Sequence, residues 1–192
     1  MKEELLHLDT VIITHRMVVR RFREQEGAAF YELYVANRVI LESLLPPMLP
    51  ELANQSEAEF FVRQQLAAWL RQEALAYAIW DKESAKLIGY LSLSPIDPSW
   101  RKAWCQGFMD KDRNGQGLMS EALRALLQTI FIKTGIQKVS LLTSVENVAA
   151  QRIARKCGFI REGDLREEFQ RQSGEPVDAQ LFGLTRHSFE KI

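Results

Sequence analysis

The clearest periodicity in the chain follows a pair of glycines. After Arg113-Asn114-Gly115-Gln116-Gly117-Leu118-Met119-Ser120, apolar residues recur at three- and four-residue steps: Ala122, Leu123, Leu126, Leu127, Ile130 and Phe131. This spacing predicts a helix that begins at the glycine-bearing turn. Residues 104–109 form a short apolar run rich in strand formers and end at the polar turn Asp110-Lys111-Asp112, so the unit reads as strand, glycine turn, helix. A helix start preceded by glycines exposes unpaired backbone N–H groups and is an anion site. A turn that needs two glycines for its shape alone explains the same residues about equally well.

The remaining pattern alternates between the two periods. Residues 11–13 and 17–22 read as strands around Thr14-His15-Arg16, and residues 24–37 as a helix carrying Phe30, Leu33 and Tyr34. Residues 39–50 are apolar but interrupted by Pro46, Pro47 and Pro50, which predicts a short helix and a stiff loop. Ser56 and Glu59 have capping-box spacing and open a helix through Phe60, Phe61, Leu66 and Leu70 that ends near Glu73. Residues 76–80 and 86–94 form a hairpin around Asp81-Lys82-Glu83-Ser84, residues 96–99 turn again, and residues 101–109 feed the glycine turn. Beyond the helix, Gly135 is the expected stop, residues 139–143 a buried strand, and Asn147 the cap of a short helix through Lys156. Residues 159–168 and 177–185 close a last hairpin around Gln172-Ser173-Gly174. This order predicts an α+β fold, an α/β sandwich whose mostly antiparallel sheet is parallel only across the helix after the glycine turn.

Composition narrows the class. At 192 residues and 46% apolar content the chain has the size of one domain, residues 1–192, with its own core. Lysine plus arginine equals aspartate plus glutamate at 25 each, so no net field draws it to nucleic acid or to a membrane. The charged start Met1-Lys2-Glu3-Glu4 and the lack of a membrane-length apolar run predict neither signal peptide nor transmembrane helix. Two distant cysteines, Cys105 and Cys157, and three scattered histidines fit a reduced, cytoplasmic protein without a metal site.

Three motifs, in order, carry a family resemblance: Thr14-His15-Arg16-Met17-Val18-Val19-Arg20, then Asn114-Gly115-Gln116-Gly117-Leu118-Met119, then Asn147 followed by Arg152-Ile153-Ala154-Arg155-Lys156-Cys157-Gly158-Phe159. Over nearly its whole length the chain resembles the GNAT superfamily of N-acetyltransferases, in particular the RimJ/RimL-like branch that acetylates protein N-terminal α-amines. The resemblance implies a six- to seven-stranded sheet with helices on both faces, acetyl-CoA as cosubstrate, and a primary amine, on a protein N-terminus or a small molecule, as acceptor. It assigns Met109, Arg113, Asn114, Gly115, Gln116, Gly117, Leu118, Met119, Ser120, Asn147 and Arg152 to the cofactor. The glycine turn would seat the pyrophosphate without a lysine. Arg113, Arg152 or Lys156 would meet the 3′-phosphate, each being equally readable as a solvated surface cation. The strand ending at Met109 and the strand from Val139 would splay to hold the pantetheine amides, with Asn147 assisting or simply capping its helix.

The chain also departs from that pattern. Asn114 replaces the usual glutamine or arginine, Gly107 is displaced by one position, and Ala150 stands where the branch places a serine, or other GNATs a tyrosine, to protonate the leaving thiolate. Losing a general acid costs about 10²–10⁴ in rate, although a thiol of pKa roughly 8.5 leaves fairly well unprotonated. Ser144, Cys157 or a water are substitute donors, with Ser144 also readable as strand-end structure and Cys157 as core. The candidate base is Glu168, before Phe169, with Glu167 beside it, and a solvated face is the rival reading for both. An α-amine of pKa about 7.7–8.0 needs roughly 3 to 4 kcal/mol less help to become neutral than a lysine at about 10.4. Trp100 and Trp104 are a candidate stacking platform, with core packing favoured for Trp104. Acetylation of a small amine and a non-catalytic acyl-CoA-binding module are the rival functions, and a homodimer stays open.

Overall fold

The third strand shows how the sheet is buried. Leu75, Tyr77 and Ile79 point to one face and Ala76 and Ala78 to the other, and all five are buried, as a strand covered on both sides requires. The computed structural model describes residue 8 and residues 10–44, 49–171 and 174–191. Pro46, Pro47, Gln172 and Ser173, which figure in the expected loop and hairpin turn, lie outside the described residues.

In chain order the elements are β1 (Val11–Ile13), β2 (Met17–Arg21), α1 (Gly27–Leu44), α2 (Gln55–Arg71), β3 (Leu75–Asp81), β4 (Leu87–Asp97), β5 (Lys102–Met109), a 3-10 turn (Lys111–Arg113), α3 (Leu118–Lys133), β6 (Lys138–Ser144), α4 (Val148–Lys156), β7 (Ile160–Gln170), β8 (Pro176–Thr185) and α5 (Arg186–Phe189). All eight strands join one sheet in the order β1-β2-β3-β4-β5-β6-β8-β7. Every pairing is antiparallel except β5 with β6, which α3 connects. The sheet exceeds the expected six to seven strands.

The ladder of α3 packs its buried Leu123, Leu126, Leu127, Ile130 and Phe131 on one face, against Met17, Val19, Tyr77, Leu91 and Cys105. On the other face α1 and α2 contribute Phe30, Leu33, Tyr34, Phe61 and Val62 to a second core with Phe22, Ala76, Ala78, Tyr90 and Phe108. Tyr90 and Leu91, adjacent on β4, thus serve opposite cores.

Several local expectations shift. Helix α1 runs past residue 37 to Leu44, because the first proline comes only at 46. The cap of α2 is Asn54, whose side chain accepts the Glu57 N–H at 3.0 Å, not Ser56. Glu59 instead accepts the N–H groups of Gln25 and Gly27 at 3.0 and 2.9 Å, fastening the start of α1. Helix α3 stops at Thr134, an extended residue whose hydroxyl donates to the Ile130 carbonyl at 2.7 Å, one residue before Gly135. The short α5, capped by Thr185, has no counterpart in the expected order. Trp104 is 40% exposed, since the β5 alternation buries Ala103 and Cys105 instead. Both cysteines are free thiols and buried. Among the described residues no helix is long and apolar enough to cross a membrane, and no cluster of three metal-ligating side chains occurs.

Candidate active site

The parallel pair sets up the site by ending early. Strands β5 and β6 are in register only from Lys102 with Lys138 to Cys105 with Leu141. Beyond that point residues 106–109 stay paired to β4, from Ser92 to Gly89, while residues 142–144 stay paired to β8, from Leu181 to Ala179. Each segment therefore keeps one edge satisfied and turns the other toward a gap. Gly107 is needed where it stands: a Cβ there would lie 2.5 Å from the Tyr90 carbonyl oxygen and 3.1 Å from the Leu91 Cα. The displaced glycine thus answers to the close approach of β4.

At the mouth of the gap the chain leaves β5, makes the 3-10 turn, and enters α3 through two left-handed residues, Gly115 at φ 78° and Gly117 at φ 76°. Only glycine takes such values without cost. Gly117 is the N-cap of α3 and no side chain caps it, so the first amides of that helix face outward. Opposite lies α4, where Ala149, Arg152, Ile153 and Lys156 share one face at helical spacing. Between the turn and that face runs a groove of about 410 Å³, lined by Met109, Arg113, Asn114, Gly115, Gly117, Leu118, Met119, Ser120 and the four residues of α4.

The groove is electrostatically one-sided. Its lining includes Arg113, Arg152 and Lys156 and no carboxylate, although the whole chain is neutral. A side chain at Gly117 would come within 3.7 Å of the Lys156 ammonium and 3.9 Å of the Arg16 guanidinium. Arg113 lies 4.0 Å from Asp81. The Ser84 hydroxyl and N–H, each at 2.7 Å, hold the Asp81 carboxyl below its ordinary pKa against partial burial, and Arg113 adds to this. Arg16 reaches the turn from the residue before β2. It donates through Nη1 to the Gln116 carbonyl at 2.9 Å and through Nε to Glu121 at 2.8 Å, and its own N–H reaches the other Glu121 oxygen at 3.1 Å. Burial pushes the Glu121 carboxyl up, but hydrogen bonds from Thr14 and Arg16, together with the Arg16 charge, outweigh it and hold the group below its usual value.

The structure gathers the expected cofactor residues into this groove with two exceptions. Gln116 is exposed and turns its carbonyl to Arg16. Asn147 is buried, and its Oδ1 accepts the Ala150 N–H at 3.0 Å, the cap geometry. Ser144 is wholly buried with its Oγ accepting the Glu146 N–H at 3.1 Å, a strand-end role. Cys157 is core, its Sγ 3.6 Å from the Ser120 carbonyl oxygen. Glu168 is exposed on the edge strand β7, outside the groove lining. There the simple alternation of Glu167 and Glu168 gives way to a bulge. Residues 166–168 bulge between the pairs Leu165 with Ala179 and Phe169 with Val177, Glu167 takes φ 50°, and its N–H meets the Asp178 carboxylate at 2.8 Å. The Asp178 carbonyl also accepts the Val145 N–H at 3.0 Å, which sets the bulge level with the end of β6. Ala149 and Ile153 were not anticipated, though they fall one helical step from Arg152. Arg16 was visible only as part of a motif.

A sheet parted along its one parallel pair, with a glycine-nested, cation-lined helix start at the opening, defines an α+β domain built to hold a phosphorylated, amide-containing ligand. Residues 16–160 match the family model for the acetyltransferase (GNAT) domain, so the chain belongs to the GNAT family and is an acetyl-CoA-dependent N-acetyltransferase. The ribosomal-protein-serine acetyltransferase of Escherichia coli (strain K12) is 25% identical over 159 residues, covering 83% of this chain and 87% of that protein. RimL, a ribosomal L7/L12 alpha-N-protein acetyltransferase solved with coenzyme A, superposes with a TM-score of 0.85 at 24% identity, over 91% of this chain and 97% of that one. The microcin C7 self-immunity acetyltransferase MccE, solved with acetyl-CoA and AMP, gives a TM-score of 0.80 at 20% identity, over 89% and 93% of the two chains.

Proposed function

We propose that this enzyme acetylates the free α-amine of a protein N-terminus. The observation that carries the cofactor half of this reading is the groove with three cations and no carboxylate in a chain that is neutral overall. In it, the outward amides of residues 117–120 take the pyrophosphate, Arg152 and Lys156 take the 3′-phosphate, and the unpaired edges of residues 106–109 and 142–144 take the pantetheine amides. Acetyl-CoA supplies a thioester whose C–S bond breaks as the amine nitrogen forms a C–N bond, the amine giving up one proton.

The acceptor half is supported by what the site asks of its substrate. No histidine lines the groove, and Glu168 on the β7 bulge is the carboxylate assigned to receive the amine proton. An α-amine with pKa about 7.7–8.0 is partly neutral near pH 7 without a strong base. Ala150 offers no proton to the thiolate, which then leaves as such. The relationship to the ribosomal-protein-serine acetyltransferase of E. coli over most of both chains points the same way.

The test is a competition in one pot: acetyl-CoA with peptides bearing free α-amines, α-blocked peptides bearing only lysine, and a polyamine, each scored by mass spectrometry. Acetylation of the first set at the highest kcat/KM is expected. Exclusive turnover of lysine peptides or of the polyamine would overturn the reading.

A further inference from the structure

We infer that Arg16 and Glu121 form a positioning pair that shapes the glycine turn for a pyrophosphate without touching it; this rests on the turn being the anion seat of acetyl-CoA. The turn is short and holds two left-handed glycines, so its own backbone does little to fix it. Three hydrogen bonds from Arg16 bracket it: one to the Gln116 carbonyl just before the helix cap, and two to Glu121 one turn inside α3.

Peptide geometry makes the first bond directional. The Gln116 carbonyl and the Gly117 N–H belong to one planar trans unit and point opposite ways. Holding the carbonyl against Arg16 aims that N–H away from Arg16, and Gly117 lines the groove. The bonds to Glu121 fix the first turn of α3 in the same frame. Arg16 is not among the groove-lining residues, and its Nη2 lies 2.7 Å from Glu121, so guanidinium and carboxylate offset each other in charge. Their effect on the seat is geometric rather than Coulombic.

This separates two outcomes by sign. Removing the Glu121 charge near an anion seat should, by Coulomb's law alone, tighten anion binding. A positioning role predicts the reverse. Arg16→Met and Glu121→Gln are each expected to raise the KM for acetyl-CoA about tenfold at unchanged kcat and unchanged amine KM, with the double variant no worse than the worse single one. With S-acetylpantetheine, which lacks the pyrophosphate, kcat/KM should match that of the unaltered enzyme. Tighter or unchanged acetyl-CoA binding in Glu121→Gln, or an equal loss with S-acetylpantetheine, would overturn the inference. The unaltered enzyme separates the underlying reading: if it turns over 3′-dephospho-acetyl-CoA, which keeps the pyrophosphate, no better than S-acetylpantetheine, the seat itself is wrong. If it prefers the former and the Arg16 and Glu121 variants keep that preference in full, only the positioning pair falls.

Discussion

Asn37 Oδ1 accepts the backbone N–H of Lys111 at 2.7 Å, so a buried amide on α1 holds the 3-10 turn that leads into the glycine loop. The same side chain donates through Nδ2 to the Leu33 carbonyl at 2.8 Å. Asn37→Leu keeps the approximate volume but strands the Lys111 N–H, and it should destabilise the fold by about 1–3 kcal/mol. Urea unfolding measures this, and an unchanged midpoint would show that the amide is replaceable.

Two glycines in strands should behave in opposite ways. Gly107→Ala forces a Cβ to within 2.5 Å of the Tyr90 carbonyl oxygen, and neither backbone can yield without breaking the β4–β5 ladder. Gly163→Ala meets nothing within 4 Å. The first is expected to lose at least about 2 kcal/mol and the second to stay within about 0.5 kcal/mol of the parent. Thermal unfolding of both, side by side, checks the contrast.

The Glu121 carboxyl gives stability a defined pH dependence. Its folded pKa lies below the ordinary value of 4.5, because the Thr14 and Arg16 hydrogen bonds outweigh burial. Between the folded and ordinary values the unfolded chain binds more protons, so the stabilisation is complete above the ordinary value and lost as pH falls through the folded one. The stability gap between the parent and Glu121→Gln should be constant near neutrality and close on acidification. A gap that widens below pH 4.5 would contradict the assignment.

Burial pushes the Cys105 thiol up to about 12, with Cys157 adding to it. Burial likewise raises Cys157 to about 11, against the opposing influence of Arg124 and Lys156. At pH 8 each is then well under about 1% thiolate. Iodoacetamide should leave both unmodified in the native enzyme and label both in urea, as read by intact mass. Rapid native labelling with loss of activity would instead mark a reactive thiol.

The proton transfers are open to two substitutions. Ala150→Ser restores a hydroxyl at the position the family uses for a donor, and should raise kcat, by up to about 10²-fold if departure of the thiolate limits the rate. Glu168→Gln should lower kcat/KM by about 10²-fold at every pH. A full pH profile of the Gln variant that overlays the parent would remove Glu168 from the reaction.

The glycine turn and the α3 ladder were legible because their information is local: two residues set the backbone and six set the period. The α2 cap misled for an equally local reason. Ser56 and Glu59 have box spacing, but Glu59 is taken by the amides of Gln25 and Gly27, a contact between segments no window of sequence connects. Arg16 and Glu121 are 105 residues apart and meet only once β2 lies beneath α3. The β7 bulge likewise depends on Asp178 of the neighbouring strand capturing the Glu167 N–H, which left the facing of Glu167 and Glu168 beyond a period-two argument. Trp104 looked like core by residue type, yet strand alternation put Cys105 inside and the indole outside.

The brevity of the β5–β6 pairing, only four residues a side, acts as an aperture setting. Because both strands are already hydrogen-bonded along their outer edges, the slot stays open without strain, and each further rung of pairing would shorten it by a residue's rise of about 3.3 Å. A ligand that fills it must itself resemble a length of strand, with amides at peptide-like intervals. Selectivity for such an arm is therefore written into where two strands stop touching, and a substitution that extended their pairing would narrow the enzyme's reach while leaving every lining side chain in place.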